Sequence, residues 1–543
     1  MRWSTACSSW FLACLWVALT VGCLQRETNV ERGNREQVLH RGIGPSPAHL
    51  DPHLATGTAE YNVLSALFEG LVAEDPVDLR PVPGVAERWS TSPDGLTYTF
   101  HLRDAKWSNG EPLTAHDFLR SWQRVLTPSL AADYANLLYI IEGAEAFHKG
   151  RTTDFGSVGV TAPDERTLRI RLEYPAKHFL SVLQHWVWYP VHLPSIERHG
   201  SPVDRATSWT RPGQLVGNGP FVLREWEADQ RIVAVKNPHY WDAATVRLQA
   251  IHFHPFDSVD AEERAFRAGQ LHLTDAVSLS KIEAYRRDLP ELLRIDPYLG
   301  TYFYRVNVRR PFLNAEKVRR ALALAVDRDA IVEKILRGGQ LPATGFVPPE
   351  TGGYTSPGLL GFDPDAARAL LAEAGYPGGE GAPVVELLFN SSENHRVVAE
   401  ALQEMWRREL GLRVSLLNME NKSVLEARRA GDYQLLRSVW IGDYIDPASF
   451  LDIWRSDSGN NYTGWSNEAY DRLLYEAART ADPDARRTVL QRAETLLLQD
   501  APLIPIYYFT HVFLLQPAVR NWHPTLLDHH PYKHVYLEVP SQP

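Results

Sequence analysis

The stretch Tyr98-Thr99-Phe100-His101-Leu102-Arg103-Asp104-Ala105-Lys106-Trp107-Ser108-Asn109-Gly110, continued by Thr114-Ala115-His116-Asp117-Phe118, decides how the rest of the chain is read. Leu96, Tyr98, Phe100 and Leu102 alternate with Thr97, Thr99, His101 and Arg103. A period of two puts the apolar side chains on one face of an extended segment, which predicts a half-buried strand. Leu168, Ile170 and Leu172 alternate with Arg169 and Arg171 in the same way. Elsewhere the period is helical. Asp363-Pro364 supplies an N-cap and an N1 proline for a helix over 365–374, closed by Gly375. Residues 316–337 carry Val318, Leu322, Ala325 and Ile335 at helical spacing, and 397–410 and 485–498 are two further helices. Fold class is therefore α/β. Turn-rich breaks near Pro190-Pro194 and at Leu299-Gly300 are candidate domain boundaries.

A chain of 543 residues is several times a typical domain, and its 44% apolar and 22% charged residues are ordinary for globular proteins. A net charge of −10 argues against a general nucleic-acid binder, which needs a basic face to neutralise phosphates. The 16 Trp, 22 Tyr and 19 Phe suit large cores and ligand clefts.

All three cysteines, Cys7, Cys14 and Cys23, lie in the first 23 residues, so the body of the chain can hold neither a disulfide nor a Cys-based metal site. Arg2 and the mostly apolar run 10–21 read as a signal peptide over residues 1–22, too short to span a bilayer comfortably. Leu19-Thr20-Val21-Gly22-Cys23 resembles a bacterial lipobox, in which the cysteine is acylated and becomes the mature N-terminus. Residues 23–37 then read as a lipid-anchored flexible leash.

Catalytic signatures are missing: there is no G-x-S-x-G, H-E-x-x-H, P-loop or G-x-G-x-x-G after a strand. His523, His529, His530 and His534 read as a solvated surface cluster, and Asp443, Asp446 and Asp452 lack the glycine and spacing of a calcium loop. No metal site and no cofactor are expected, and no enzyme.

Several blocks occur in order. They include Leu67-Phe68-Glu69-Gly70-Leu71, Pro83-Gly84-Val85-Ala86-Glu87-Arg88-Trp89, the opening stretch, Asn218-Gly219-Pro220-Phe221, Asn237-Pro238-His239-Tyr240-Trp241, Val318-Arg319-Arg320-Ala321-Leu322 and Pro505-Ile506-Tyr507-Tyr508. Together they resemble the extracytoplasmic oligopeptide-binding proteins of bacterial ABC importers, the OppA-like branch of the family 5 solute-binding proteins. The resemblance covers essentially the whole mature chain. It implies a two-lobed, three-domain periplasmic-binding-protein fold of class II. Lobe I would comprise 38–58, 190–299 and 509–543, an additional domain 59–189, and lobe II 300–508. It also implies a cleft that closes by a hinge on an extended peptide held through its main chain.

The same resemblance assigns site residues. Asp443, in Trp440-Ile441-Gly442-Asp443-Tyr444, matches the aspartate that takes the peptide α-ammonium, whereas Asp446 before Pro447 reads as a plain N-cap. Arg437, Arg428 and His395 match the partners of the peptide carboxylate, although Arg428-Arg429 also reads as an ordinary solvated helix face. Tyr302, Phe303, Tyr304 and Arg305 match a cleft-lining strand, with Trp440 and with Tyr134 from the second domain. Ser46 and Asn421 stand where relatives carry an acidic and a tryptophan side chain, and Gly300 and Ile441 replace two cysteines that pair in some relatives. Expected partners are oligopeptides and ABC permease subunits, with membrane contact through the lipid alone and no nucleic acid. A monomer on the outer face of the membrane is expected. The competing readings are the same fold tuned to a murein peptide, a signalling peptide or a non-peptide ligand such as a metal complex or haem, and an exported hydrolase.

Overall fold

The structure, a computed structural model, describes residues 27–480 and 482–539, with Glu393 and Asn421 described by backbone alone. Cys23 and the proposed signal peptide lie outside these residues. Among the described residues no helix is long and apolar enough to cross a membrane.

Three sheets organise the chain. The first has the strand order Val38–Gly42, Ala250–His254, Arg231–Lys236, Phe221–Glu227, parallel at its first pair and antiparallel beyond. Its core side presents Leu39, Ile251, Phe253, Ile232 and Phe221 to Trp209, Trp522 and Tyr532. The second sheet is antiparallel in the order Ala86–Thr91, Thr97–Leu102, Thr167–Arg171, Val160–Asp164. Tyr98, Phe100 and Leu102 are buried on it while Thr97, Thr99 and His101 are half-buried, as the alternation predicts. The helix Ala115–Leu126 covers it with Phe118 and Trp122.

The third sheet has six strands: Leu341–Pro342, Leu503–Leu514, Leu293–Val306, Leu435–Ile441, Val385–Asn390 and Val414–Met419. Its two long members pair from Leu293 opposite Leu514 to Arg305 opposite Leu503. Their far end belongs to the first lobe, where Leu515 bridges Leu273 and Phe513 joins the first core. Their near end carries Tyr302, Tyr304, Ile504 and Ile506 into the core of the six-stranded lobe. This ribbon therefore runs from one lobe to the other.

The helix Pro364–Glu373 begins as predicted, with the Ala366 N–H donating to the Asp363 carboxylate at 3.0 Å. Glu393–Leu410 and Pro483–Asp500 contain the other two predicted helices.

Three expectations are corrected. The flexible leash is ordered over Asn29–Glu36 as a helix. Thr28 and Glu31 form a capping box, the Val30 N–H donates to the Gly269 carbonyl at 2.9 Å, and Asn34 is buried against His272 at 3.2 Å, so a polar segment is held by its caps and by hydrogen bonds to the body. The helix read over 316–337 breaks after Leu324 and resumes as Arg328–Ala330 and a wide turn over Ile331–Leu336. The break frees backbone carbonyls for the buried Arg328 guanidinium, which donates to those of Ala323, Val326 and Pro505. Leu299-Gly300 is no turn but mid-strand, because Gly300 leaves the room that the opposing Ile441 methyl and the Phe509 ring fill.

One buried ion pair joins the first core to the helix over the second sheet. Arg124 donates to both Asp51 oxygens at 3.0 and 2.6 Å and to His53 Nδ1 at 2.8 Å. Burial pushes the Asp51 carboxyl up, but the guanidinium outweighs it and holds the group below its ordinary range. Asp51→Ala leaves Arg124 buried without its partner and is expected to cost about 3–5 kcal/mol in urea denaturation at pH 7. A depressed folded pKa means this stabilisation is present above the ordinary carboxylate range and is lost as pH falls through the folded value. The gap between wild type and variant should therefore narrow in acid.

Candidate functional site

Between the lobes lies a cleft of about 520 Å³. Tyr61, Trp186, Asp275, His511, Asp528 and His529 line it from the first lobe, and Tyr134 enters from the second sheet's domain. Tyr298, His395, Trp440, Asp443, Tyr507 and Phe509 face them.

Asp443 is presented by the loop that follows the strand Leu435–Ile441. Gly442 donates to the Leu299 carbonyl at 2.8 Å, and a Cβ there would meet Leu299 and Phe450. Ser449 fixes the rest: its Oγ accepts from the Asp443 N–H at 2.8 Å and its carbonyl from Trp440 Nε1 at 2.7 Å. These ties act through the backbone and leave the carboxylate to the Tyr134 hydroxyl. Among the described residues no basic side chain pairs with it. Burial pushes its pKa up to about 7, and the Tyr134 hydroxyl offsets this only in part. Asp446, three residues on, contrasts with it. It accepts from the Ala448 N–H at 2.9 Å, as an N-cap does, and from Arg486 at 2.7 and 2.8 Å. Burial raises its pKa, but Arg486 brings it below the ordinary value.

The three expected carboxylate partners fall into two groups. Arg437 stands 4.8 Å from the centre of the Tyr302 ring and donates to Asn390 Oδ1 at 3.2 Å, leaving its Nε without an acceptor among the described residues. His395 Nδ1 lies 3.4 Å from the Tyr302 hydroxyl. Burial, then Arg437, lowers its pKa to about 3, so this imidazole is neutral and can donate one hydrogen bond and accept one. Arg428 belongs elsewhere. It lies 4.6 Å from the centre of the Tyr462 ring, and Arg305 lies 5.5 Å from the centre of the same ring. Arg305 is 2% exposed and has no acidic partner among the described residues; burial lowers its pKa to about 10. Its Nε and Nη1 and the Arg428 Nε lack acceptors.

Of the expected cleft residues, Tyr134, His395, Trp440 and Asp443 line the cavity. Tyr302, Phe303, Tyr304 and Arg305 do not; they are fully buried. The cause is that their strand lies third in a six-stranded sheet, so both of its faces are covered. Tyr302 stacks on Tyr507 at 4.6 Å, and Phe303 packs edge-on against Phe346 and Trp454. Arg437 and Arg428 are half-buried and reach Tyr302 and Tyr462 rather than the cavity. Ser46 is half-buried in the turn after the first strand, away from the cavity lining. Asn421 opens the helix Asn421–Ala430, and its side chain lies outside the description.

The C-terminal histidines are not a solvated cluster. The His529 ring N–H donates to the Glu74 carboxylate at 2.7 Å and the ring stacks on Tyr61 at 4.0 Å, while His530 is buried on Trp522. His511 holds Asp528 at 2.9 Å; burial alone would lower its pKa, but Asp528 and Asp275 raise it to about 9. Tyr61, Asp275, His511, Asp528 and His529 form the cleft wall that sequence reasoning missed. Only the run Asp528-His529-His530 signalled them.

Asp443 has a consequence for stability. Its folded pKa lies above the ordinary carboxylate value, so ionisation in the folded state is penalised. Asp443→Asn is therefore expected to melt above wild type in ligand-free protein at pH 8. The gap should shrink as pH falls below about 7 and vanish below about 4, the unfolded carboxyl value. Calorimetric melting across this range checks both sign and window.

Residues 80–462 match the model of the bacterial extracellular solute-binding proteins, family 5. The periplasmic oligopeptide-binding protein OppA of Escherichia coli is 35% identical over 497 residues, covering 90% of each chain. The probable deoxycholate-binding periplasmic protein YgiS of the same organism is 38% identical over 514 residues, 92% of each. The crystal structure of Haemophilus influenzae OppA in complex with the peptide RPPGFSPFR superposes with a TM-score of 0.82 at 31% identity, over 92% of this chain and 99% of that one. The chain belongs to the family 5 solute-binding proteins and has their two-lobed α/β fold. That is a family of binding proteins, not of enzymes.

Proposed function

We propose that the protein is an exported lipoprotein that captures extended oligopeptides in the interlobe cleft and delivers them to an ABC-transporter permease. The observation that carries the reading is Asp443: a carboxylate on the cleft wall, tied in place through its backbone and lacking a cation among the described residues. A buried carboxylate calls for a positive partner, and a peptide α-ammonium is one. For the other end we assign Arg437 with His395, and Arg428 if a longer peptide reaches beyond the cavity toward Tyr462.

Deoxycholate, the ligand named for one relative, has a carboxylate and no cation, so it would leave Asp443 unpartnered. This favours a zwitterionic peptide. A murein-derived or signalling peptide is a narrower case of the same reading.

Asp443→Ala is expected to weaken peptide binding by at least about a hundredfold, because a buried charge loses its partner at about 3–5 kcal/mol. An N-acetylated peptide should bind poorly to wild type. Below pH 7, where Asp443 is protonated in the ligand-free protein, binding should expel a proton. Calorimetry in buffers of different ionisation enthalpy would detect it. Equal affinities for free and acetylated peptides, or no proton release, would remove Asp443 from this role.

Arg437, Arg428 and His395 would act as carboxylate sites for different peptide lengths, since each residue advances an extended chain by about 3.3 Å. Arg437→Ala should then penalise one length among di- to pentapeptides far more than its neighbours, mainly through faster dissociation. A uniform loss, or none, would make Arg437 structural. Native mass spectrometry of protein purified without denaturation would identify co-purifying peptides, and an intact peptide after incubation would exclude hydrolysis.

Export and anchoring are part of the proposal. Acyl chains on Cys23 would hold the protein on the membrane, where a single weak signal would not. Cys23→Ala should give uncleaved or released protein. Soluble wild-type protein with another N-terminal residue would overturn the anchoring.

A further inference from the structure

On the face of the first sheet opposite its core, strand pairing gathers histidines that the sequence keeps more than two hundred residues apart. His40 stands directly across from His252 in the parallel pair of Val38–Gly42 with Ala250–His254, and His254 follows two residues later on the same face. One ring nitrogen from each of His40, His252 and His254 lies within 4.8 Å of the other two. His40 Nδ1 and His254 Nε2 are 3.1 Å apart. Two imidazole nitrogens on a tetrahedral zinc ion, at about 2.0–2.1 Å from the metal, stand about 3.3 Å from each other. Small rotations of the half-buried His252 ring would close the third position.

The rings are also chemically free to ligate. Among the described residues His252 has no hydrogen-bond partner, and His40 and His254 have only each other. A fourth histidine completes the surroundings without competing for the metal. His272 Nδ1 accepts from the His40 backbone N–H at 3.0 Å, which puts the ring proton on Nε2, where it meets Asn34 Oδ1 at 3.2 Å. Both nitrogens are thus engaged, and the ring stacks on His40 at 5.8 Å and 17° as a fixed wall. The charged neighbours are tolerable for a cation. Arg231, beside His252, pairs with Glu225 at 2.7 Å, and Arg32 is exposed. An open cavity lined by His254, Gln230, Asp229 and Asp257 gives access from solvent.

We propose that His40, His252 and His254 form a three-histidine site for a divalent transition-metal ion of the zinc class, with the fourth position left to water. All-imidazole ligation selects Zn²⁺, Cu²⁺ or Ni²⁺ over Ca²⁺ and Mg²⁺, which require oxygen ligands. The ion would tie the first strand to its neighbour beneath the helix Asn29–Glu36, which packs on the same face through Asn34 and His272. Its role would be structural and separate from the interlobe cleft, none of whose lining residues it uses.

The test uses the mature protein stripped with a chelator and titrated with ZnCl₂ alone. Wild type should bind one Zn²⁺ and melt at a higher temperature with it. His252→Gln and His254→Gln should weaken that site at least about tenfold, while His116→Gln, on the exposed surface, should leave it unchanged. Co²⁺ bound to wild type should show the intense visible absorption of tetrahedral rather than octahedral coordination, a reading that does not depend on any variant folding. No stoichiometric Zn²⁺, equal loss in His116→Gln, undiminished binding in both strand variants, or an octahedral Co²⁺ spectrum would overturn the proposal.

Discussion

The structure depends on the antiparallel ribbon formed by Leu293–Val306 and Leu503–Leu514. Ten residue pairs hold the two strands together, from Leu293 with Leu514 to Arg305 with Leu503. The ladder is interrupted between Pro297 and Thr301, where proline has no N–H to give and the register shifts. Bending of one lobe against the other is cheapest at such an interruption. The cleft is built around it: Tyr298, Phe509, Thr510 and His511 lie on the two strands there, and Asp443 hangs from the neighbouring strand whose Gly442 bonds to Leu299. The element that joins the lobes is therefore also the one that positions the groups facing the ligand.

The loop after that neighbouring strand shows how a fold assigns different tasks to like residues. Asp446 and Asp443 are three positions apart and both largely withdrawn from water. Asp446 is given Arg486 and a helix N-terminus to cap, and it is ionised and silent. Asp443 receives backbone support but no charge of opposite sign, so its carboxyl is poised near neutrality. The folded chain carries this unfavourable arrangement because Ser449, Trp440 and Gly442 over-determine the loop.

Much of this was legible from residue order. The alternation at Tyr98, Phe100 and Leu102 and the Asp363-Pro364 helix start carry local signals that tertiary packing does not reverse, whereas the Trp440 to Tyr444 segment was readable only through its resemblance to a family. What was illegible depends on distant partners. The break after Leu324 holds the Arg328 guanidinium, which bonds to the nearby Ala323 and Val326 carbonyls but also to that of Pro505 far along the chain. Phe303 and Tyr304 match a cleft strand in type, yet a central place in a six-stranded sheet buries both faces. Arg428 and Arg429 look alike in sequence, but one turns in to Tyr462 while the other stays exposed. The helix Asn29–Glu36 had no apolar face to announce it; its capping box was the only readable sign.

Gly300 and Ile441 close the space between opposing strands with a methyl group rather than a sulfur bridge. After Cys23 the chain contains no thiol. Folding of the residues after Cys23 is thus indifferent to the redox poise of the compartment. The body of the chain after Cys23 can be produced in a reducing cytoplasm without a disulfide catalyst. Any cysteine introduced into it is a unique chemical handle, so a pair placed on the two rims of the cleft would report the distance between the lobes with no background label.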